Sequence, residues 1–281
     1  MPHTQKTLTW SAVQLAIESL FDSSESDRIG LECEWPVYDV RDKTVRPNLQ
    51  VLESVAKKPL PCGGNVTVEP GGQIELSSLP ADSVGSALDA VARDSSVLHS
   101  TLAEWGLYVQ DAAIDQARDP QRTLRRPRYA AMQSFFDSRG AAGRWMMCNT
   151  ASVQINVSNG ADPLQRWRLL NTIGPVLVAA FANSRGVDAS GVEWASLRQG
   201  IWWNIDPQRT HPIPLSIDPA QSWLDYALAA DVMFICGDPT GLTGTAVSPG
   251  LTFGQWMTVG HPLGWPTIDD LRYHLSTLFP S

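Results

Sequence analysis

The stretch VEPGGQIELS, residues 68–77, carries the strongest structural signal in this 281-residue chain. Apolar and polar residues alternate over 66–69 and again over 73–77, which is the period of a half-buried β-strand. Between the two runs, Pro70-Gly71-Gly72 is typical of a tight turn. The stretch therefore predicts a hairpin or a sharply bent strand, with Glu69 and Glu75 on the polar side of the turn's two arms.

A second alternating segment, residues 29–37, precedes this turn in the chain. Its odd-numbered positions are apolar, whereas Glu32 and Glu34 share the opposite face. If the two segments pair, up to four carboxylates converge, and close like charges resist joint ionisation. Such a cluster favours a cation, and oxygen ligands alone favour a hard ion such as Mg²⁺, with phosphates completing its shell. The alternative is that these glutamates form the solvated face of an edge sheet.

The remaining pattern predicts helices and strands that do not alternate as βαβ units. Helices are expected over 10–21, 81–105, 129–137, 163–183 and 219–229, with a last one beginning at the capping sequence Thr267-Ile268-Asp269-Asp270. Further strands are expected over 107–113, 153–157 and 231–236, and loops over 184–218 and 237–250. We therefore predict an α+β fold, a mainly antiparallel sheet flanked by helices, in one domain spanning residues 1–281.

Composition excludes several classes of partner. Lys and Arg total 21 against 29 Asp and Glu, so the net charge of −8 opposes binding to nucleic acid. The longest nearly apolar stretch, 173–182, is about half of the roughly 20 residues that span a bilayer, and no secretion signal is evident. The four cysteines are widely spaced and include no CxxC pair. We expect a cytoplasmic protein that binds neither nucleic acid nor membranes.

Common nucleotide and hydrolase motifs do not occur in the sequence. It contains no GxxxxGK[ST] phosphate loop, no GxSxG nucleophile elbow and no HExxH zinc motif. If ATP binds, its phosphates must therefore be held by a metal ion and by arginine side chains.

Several blocks, in order along the chain, resemble the plant-type glutamate–cysteine ligases, and within them the bacterial enzymes that make γ-glutamylcysteine for ergothioneine synthesis. The blocks are GLECE (30–34), VEPGGQIELS (68–77), PRY (127–129), MMCNTASVQIN (146–156), FANS (181–184), LRQGIW (197–202) and HLSTLFP (274–280). The long EPGGQ-E-LS block is the most specific of them, whereas an isolated ExE or RY would be weak.

The resemblance implies an ATP-dependent ligase built on a sheet of the glutamine synthetase type. In that chemistry ATP phosphorylates the γ-carboxylate of L-glutamate, and the amine of L-cysteine then displaces phosphate. Mg²⁺ is needed because ATP is highly anionic and its β and γ oxygens must be neutralised. The implied cofactors are therefore ATP and Mg²⁺, and the implied substrates are small molecules.

The resemblance also implies roles for individual residues. Glu32, Glu34 and Glu75 correspond to metal and ATP-site carboxylates, and Glu69 to a supporting acid or a second metal ligand. Guanidinium groups suit carboxylates and acyl phosphates because they form a bidentate fork and keep their charge. The expected catalytic residues are Glu69, Arg128 and Arg198. The expected substrate-binding residues are Arg128, Tyr129, Arg198, Gln73, Gln154, Asn156 and Trp202.

One departure from the family concerns length. In the family, the helix that ends in TLFP leads into a further strand with an E-x-R motif, and this sequence ends at Ser281. We therefore expect that a C-terminal polypeptide could be a partner. Two alternatives stay open: a γ-glutamyl ligase for a different amine, and an inactive or partner-dependent binding subunit.

Overall fold

The computed structural model describes residues 7–216, 218–238, 240 and 242–280. The helices are α1 (Trp10–Glu18), α2 (Leu49–Ala56), α3 (Val84–Glu104), α4 (Pro127–Asp137), α5 (Ala142–Asn149), α6 (Pro163–Phe181), α7 (Leu197–Trp203), α8 (Pro207–Thr210), α9 (Pro219–Ala229), α10 (Phe253–Val259) and α11 (Ile268–Leu275). The strands are β1 (Ile29–Trp35), β2 (Val37–Asp39), β3 (Asn65–Val68), β4 (Ile74–Ser77), β5 (Leu107–Val109), β6 (Val153–Val157), β7 (Gly186–Val187), β8 (Glu193–Trp194), β9 (Phe234–Cys236) and β10 (Gly244–Ala246).

The central sheet has the strand order β3-β4-β1-β6, and its neighbouring strands pair antiparallel. The stretch 68–77 forms the predicted hairpin, with β3 and β4 joined through Pro70-Gly71-Gly72. The register places Glu34 of β1 opposite Glu75 of β4, and Glu32 between Ser77 and Gln154. The predicted α+β class with an antiparallel sheet is therefore confirmed.

The two faces of this sheet have opposite character because side chains alternate along each strand. The apolar face packs against α2 and α3 and forms a buried cluster. Its members are Val37, Leu52, Val55, Val66, Ile74, Leu76, Leu98, Leu102 and Leu107. The polar face carries the glutamates.

Proline and capping residues set several element boundaries. The strand expected over 29–37 is divided at Pro36, which has no N–H for the sheet, and β2 then pairs with β5 instead. The capping sequence at 267–270 is confirmed: Thr267 caps α11, and the Asp270 carboxylate accepts a hydrogen bond from the Thr267 N–H at 2.8 Å.

The structure corrects the prediction in the regions expected to be loops. Residues 184–218 contain β7, β8, α7 and α8, and 237–250 contains β10, which pairs with β9. These elements are two to seven residues long, which is too short to show a hydrophobic period. The strands expected over 107–113 and 231–236 are shorter, and α6 continues through Pro175.

Further apolar clusters lie outside the sheet, and two of them join several helices. One joins α4 and α5 to β9 and Tyr273, and the other joins α1, α10 and α11. Within the described residues, no helix is long and apolar enough to cross a membrane.

The turn between β3 and β4 requires glycine at Gly71. A Cβ added there would lie 2.1 Å from the carbonyl oxygen of Cys148, so the backbone of α5 would have to move. At Gly85, in α3, an added Cβ meets no atom within 4 Å.

We therefore expect Gly71→Ala to lower the free energy of unfolding by about 1–3 kcal/mol, because overpacking strains the turn. The matched control Gly85→Ala should leave it unchanged or raise it by up to about 1 kcal/mol. Urea unfolding of both variants measures the difference, and equal stability of the two would contradict the tight contact.

Candidate active site

Four glutamates share the polar side of the central sheet at the β3–β4 turn. Thr67 links two of them: its hydroxyl lies 3.2 Å from Glu75 Oε1 and 3.4 Å from Glu69 Oε1. Ser77 Oγ donates to the same Glu75 oxygen at 3.2 Å. Glu34 stands opposite Glu75 across β1 and β4. The pairing thus brings Glu34, Glu69 and Glu75 together, as the alternation predicts, although Thr67 was not singled out from the sequence.

Burial and mutual repulsion keep these carboxylates from ionising easily. Burial raises the pKa of Glu69 to about 7, and the negative charge of Glu75 adds to that effect. The pKa of Glu34 is raised by burial first and then by Glu69 and Glu75. Burial followed by the charge of Glu75 also raises the pKa of Glu32. When the carboxyls are ionised, the cluster therefore holds more negative charge than its own hydrogen bonds compensate.

Polar side chains from β6 and the residue before it complete one side of the cluster. Gln154 Nε2 donates to Glu34 Oε1 at 3.3 Å, and Ser152 Oγ donates to Glu34 Oε2 at 3.1 Å. The Asn156 side chain lies close enough to the Glu32 carboxylate to lower its pKa, although burial and the charge of Glu75 outweigh this effect. The structure thus brings Gln154 and Asn156 to the glutamates. Ser152 is an additional member, and its position on the same alternating phase is the sequence signal that could have identified it.

Arg198 faces the cluster from the start of α7. Its guanidinium lies 5.0 Å from the centre of the Trp202 ring, and the charge of Glu34 raises its pKa, while burial lowers it by more. Its buried Nε has no hydrogen-bond partner among the described residues. A buried cation with an unused donor beside carboxylates can bind an anionic group. Trp202 serves as the flat support for this arginine and also packs edge-on against Phe279.

Arg126 and Arg128 lie near Glu69, at the beginning of α4. The positive charge of both lowers the pKa of Glu69, although burial outweighs them. Arg128 also donates to the Tyr129 hydroxyl at 2.9 Å. Arg126 was not singled out from the sequence, because its place beside Glu69 depends on how the segment that contains Thr123 folds back onto the Pro70 carbonyl.

Gln73 is buried and lies inside the turn rather than on the polar face. Its amide oxygen accepts from the Gly71 N–H at 3.0 Å, and its Nε2 donates to the Thr150 carbonyl at 2.9 Å. Arg46 holds the same turn by donating to the Gly71 carbonyl at 2.6 Å. The structure therefore brings Gln73 into contact with the turn backbone and not with the other expected substrate-binding side chains.

The cluster has the donor chemistry of a hard-cation site. Carboxylate oxygens dominate it, and the raised pKa of Glu34 and of Glu69 indicates negative charge that a cation would neutralise. In the part of the chain that the structure describes, no three His, Cys, Asp or Glu side chains are grouped closely enough to hold a metal ion alone. The residues fit Mg²⁺ if substrate oxygens supply the remaining ligands, which is how Mg²⁺ is usually held with phosphates.

The raised carboxylate pKa values predict a pH-dependent penalty for folding. Protonated Glu34 and Glu69 stabilise the fold, and this contribution is complete below about pH 4.5, the usual pKa of glutamate. It is lost as the pH rises through about 7, because the two carboxyls then ionise in the folded protein and destabilise it. Without divalent cations, Glu34→Gln should raise the free energy of unfolding by about 1–3 kcal/mol at about pH 8 and by much less at about pH 5.

Urea unfolding at the two pH values measures this effect. The control is Glu53→Gln, at an exposed position of α2. It should change the free energy of unfolding by the same amount at the two pH values. A Glu34→Gln variant with no pH-dependent gain would show that the cluster is already compensated.

Comparison with known proteins shows which family this sequence matches. Residues 28–281 match the family described as "Glutamate-cysteine ligase family 2(GCS2)". The chain is 38% identical over 263 residues to the glutamate–cysteine ligase EgtA of Mycobacterium tuberculosis, covering 90% of this chain and 61% of that one. It is 37% identical over 281 residues to EgtA of Mycolicibacterium smegmatis, covering 96% of this chain and 65% of the relative.

More distant proteins are also similar to this chain, in sequence or in fold. The chain is 28% identical over 226 residues to the chloroplastic glutamate–cysteine ligase of Brassica juncea, covering 77% of this chain and 43% of that one. The crystal structure of a bifunctional glutathione synthetase from Pasteurella multocida has a similar fold, with a TM-score of 0.51 at 16% identity over 76% of this chain and 32% of that one. The chain thus spans less than two thirds of the length of these relatives, and it belongs to glutamate–cysteine ligase family 2.

Proposed function

We propose that this chain takes part in the ATP-dependent ligation of L-glutamate to L-cysteine, through a γ-glutamyl phosphate. The product is γ-glutamylcysteine, used for ergothioneine or a related thiol. The observation that carries the proposal is the buried, undercompensated carboxylate cluster facing Arg198, in a chain of this family. Carboxylates and arginines arranged in this way suit a reaction that brings together a polyphosphate, a cation and an anionic amino acid.

In the proposed site, Glu32, Glu34 and Glu75 hold Mg²⁺ together with the phosphates of ATP. The bound ion would neutralise the β and γ oxygens and so favour attack by the glutamate γ-carboxylate. Glu34 is half-buried, which limits the access of water to its carboxylate. Thr67 and Ser77 hold Glu75 in place through their hydroxyl groups.

The arginines are proposed to bind glutamate and the acyl phosphate. Arg198 offers its unpartnered Nε to a carboxylate, and the Trp202 ring supports its guanidinium. Arg128, positioned by Tyr129, lies near Glu69. Glu69, whose pKa is raised to about 7, is suited to accept the proton that the cysteine amine loses as it forms the amide bond and displaces phosphate.

The remaining expected residues divide into two groups. Gln154 and Asn156 lie beside Glu34 and Glu32, and we propose that they orient substrate. Gln73 acts indirectly, since its amide is used to fix the turn that carries Glu69.

A partner-dependent subunit is the second candidate. It is favoured by the share of the EgtA relatives that this chain covers, 61% and 65%. The test is incubation of the pure protein with Mg-ATP and glutamate, varying the amine, with mass detection of ADP and the dipeptide. Turnover with cysteine supports the first proposal, and turnover that needs the remaining part of a relative supports the second. The ligase proposal fails if neither condition gives product with any amine.

The metal assignment predicts that Glu75→Gln weakens Mg-ATP binding by at least about tenfold, because one carboxylate ligand is lost. Isothermal titration calorimetry measures the affinity, and Glu53→Gln serves as the control on exposed charge. Wild-type affinity in Glu75→Gln would refute the role of this carboxylate.

A further inference from the structure

Arg46, in the loop before α2, joins three segments of the chain at the β3–β4 turn. Its Nη1 donates to the Gly71 carbonyl at 2.6 Å, and its Nη2 donates at 2.8 Å both to the Asp119 carbonyl and to Asn149 Oδ1. Because a guanidinium is a rigid planar fork, these bonds fix the three acceptors relative to one another.

Each of the three segments leads to a residue of the candidate active site. The turn directly follows Glu69, and the second segment runs into α4, where Arg128 lies. Asn149 ends α5, and Ser152, three residues further on, donates to Glu34 at 3.1 Å. One guanidinium therefore connects the backbone supports of two carboxylates and of an arginine.

The Arg46 guanidinium forms no ion pair with the described residues, and its three acceptors are neutral carbonyl oxygens. Burial lowers the pKa of Arg46, and the like charge of Arg118 adds to that effect. The nearby Asp115 carboxylate is already paired with Arg118 at 2.6 Å. Burying a cation without a counter-ion costs free energy. The contribution of Arg46 therefore comes from its hydrogen bonds, which are strong because the donor is ionised.

Asn149 is itself locked in the orientation that accepts from Arg46. Its side chain is buried, and its Nδ2 donates to the Asp115 carbonyl at 2.8 Å and to the Arg118 carbonyl at 2.6 Å. An amide group has two N–H donors, and both are used, so its oxygen faces the guanidinium. The fork therefore binds a rigid frame.

We infer that Arg46 is a positioning residue for the proposed reaction, because its guanidinium sets where the turn holds Glu69 relative to the beginning of α4. The inference rests on the proposed function, in which Glu69 accepts the proton of the cysteine amine. Arg46 acts through the Gly71 carbonyl, and the Gly72 N–H donates to the Glu69 carbonyl at 2.8 Å within the same turn. A displacement of about 1 Å in a reacting group lowers a rate by about 100-fold.

Two substitutions separate the fork from its charge. Arg46→Met keeps an unbranched stem but removes every donor and the charge, whereas Arg46→Lys keeps the charge and replaces the fork by a point donor. In the ligase assay, under whichever condition gives product, Arg46→Met should lower kcat by about 10- to 100-fold, and Arg46→Lys by a smaller factor. The KM for ATP should change by less than about threefold, because the proposed metal ligands lie on β1 and β4 rather than on the turn.

Amide hydrogen exchange without nucleotide tests the anchoring independently of catalysis. Loss of a charge-assisted hydrogen bond lets the turn open, so the Gly72 N–H should exchange at least about tenfold faster in Arg46→Met. In Arg46→Lys the same N–H should exchange faster by a smaller factor. Amides of the β1–β4 ladder should keep their wild-type rates, since only a general loss of stability would accelerate them too.

The control is Arg166→Met. Arg166 is also half-buried, and its Nη1 donates to the Ser158 carbonyl at 2.5 Å and lies 2.9 Å from Asp27 Oδ1. It thus anchors the residue after β6 instead of the turn. This variant should match the wild type in kcat and in the exchange rate of Gly72.

The inference is overturned if Gly72 exchange is unchanged in both Arg46 variants, if kcat is unchanged in Arg46→Met, or if Arg166→Met changes both quantities as strongly. Urea unfolding checks that each variant folds, and Arg46→Lys decides by the same criteria if Arg46→Met does not fold. A wild-type chain that gives no product under any condition contradicts the ligase proposal, and the exchange rates then show on their own whether Arg46 holds the turn.

Discussion

Antiparallel pairing of β1 with β4 places Glu34 opposite Glu75, and the arrangement of the site depends on this close approach of two carboxylates. Like charges directly opposite on a sheet are destabilising, and burial makes their ionisation costlier. The protein offsets part of this cost with Thr67, Ser77, Ser152 and hydrogen bonds from β6. We propose that a cation and its bound phosphates neutralise the remaining charge.

The turn that carries Glu69 is held from outside the sheet. Arg46 and Gln73 bind its backbone, and Gly71 lies so close to α5 that a side chain has no room. The loop that leads to α4 is anchored on the same turn, since the Thr123 N–H donates to the Pro70 carbonyl at 2.7 Å. Glu69 and the arginines at the beginning of α4 are therefore positioned by the same turn.

Local alternation was sufficient to predict the central strands and the convergence of Glu34, Glu69 and Glu75, because a period of two assigns each side chain to a face. It could not reveal that Gln73 turns into the backbone of residues 71 and 150, since that contact is tertiary. The stacking of Arg198 on Trp202 follows from the helical spacing of α7, but α7 itself is too short to predict. The apolar period of α6 was evident, whereas its lack of burial appears only in the folded chain.

In the proposed function, the carboxylates act as one site that binds a cation. The decisive measurement is a ¹³C NMR titration of the glutamate side-chain carboxyls, with and without Mg²⁺ and ATP. Glu34 and Glu69 should titrate well above the usual 4.5, with Glu69 near 7, and both should shift to lower pH when Mg-ATP is added. Titration of both near 4.5, unmoved by Mg-ATP, would contradict the claim.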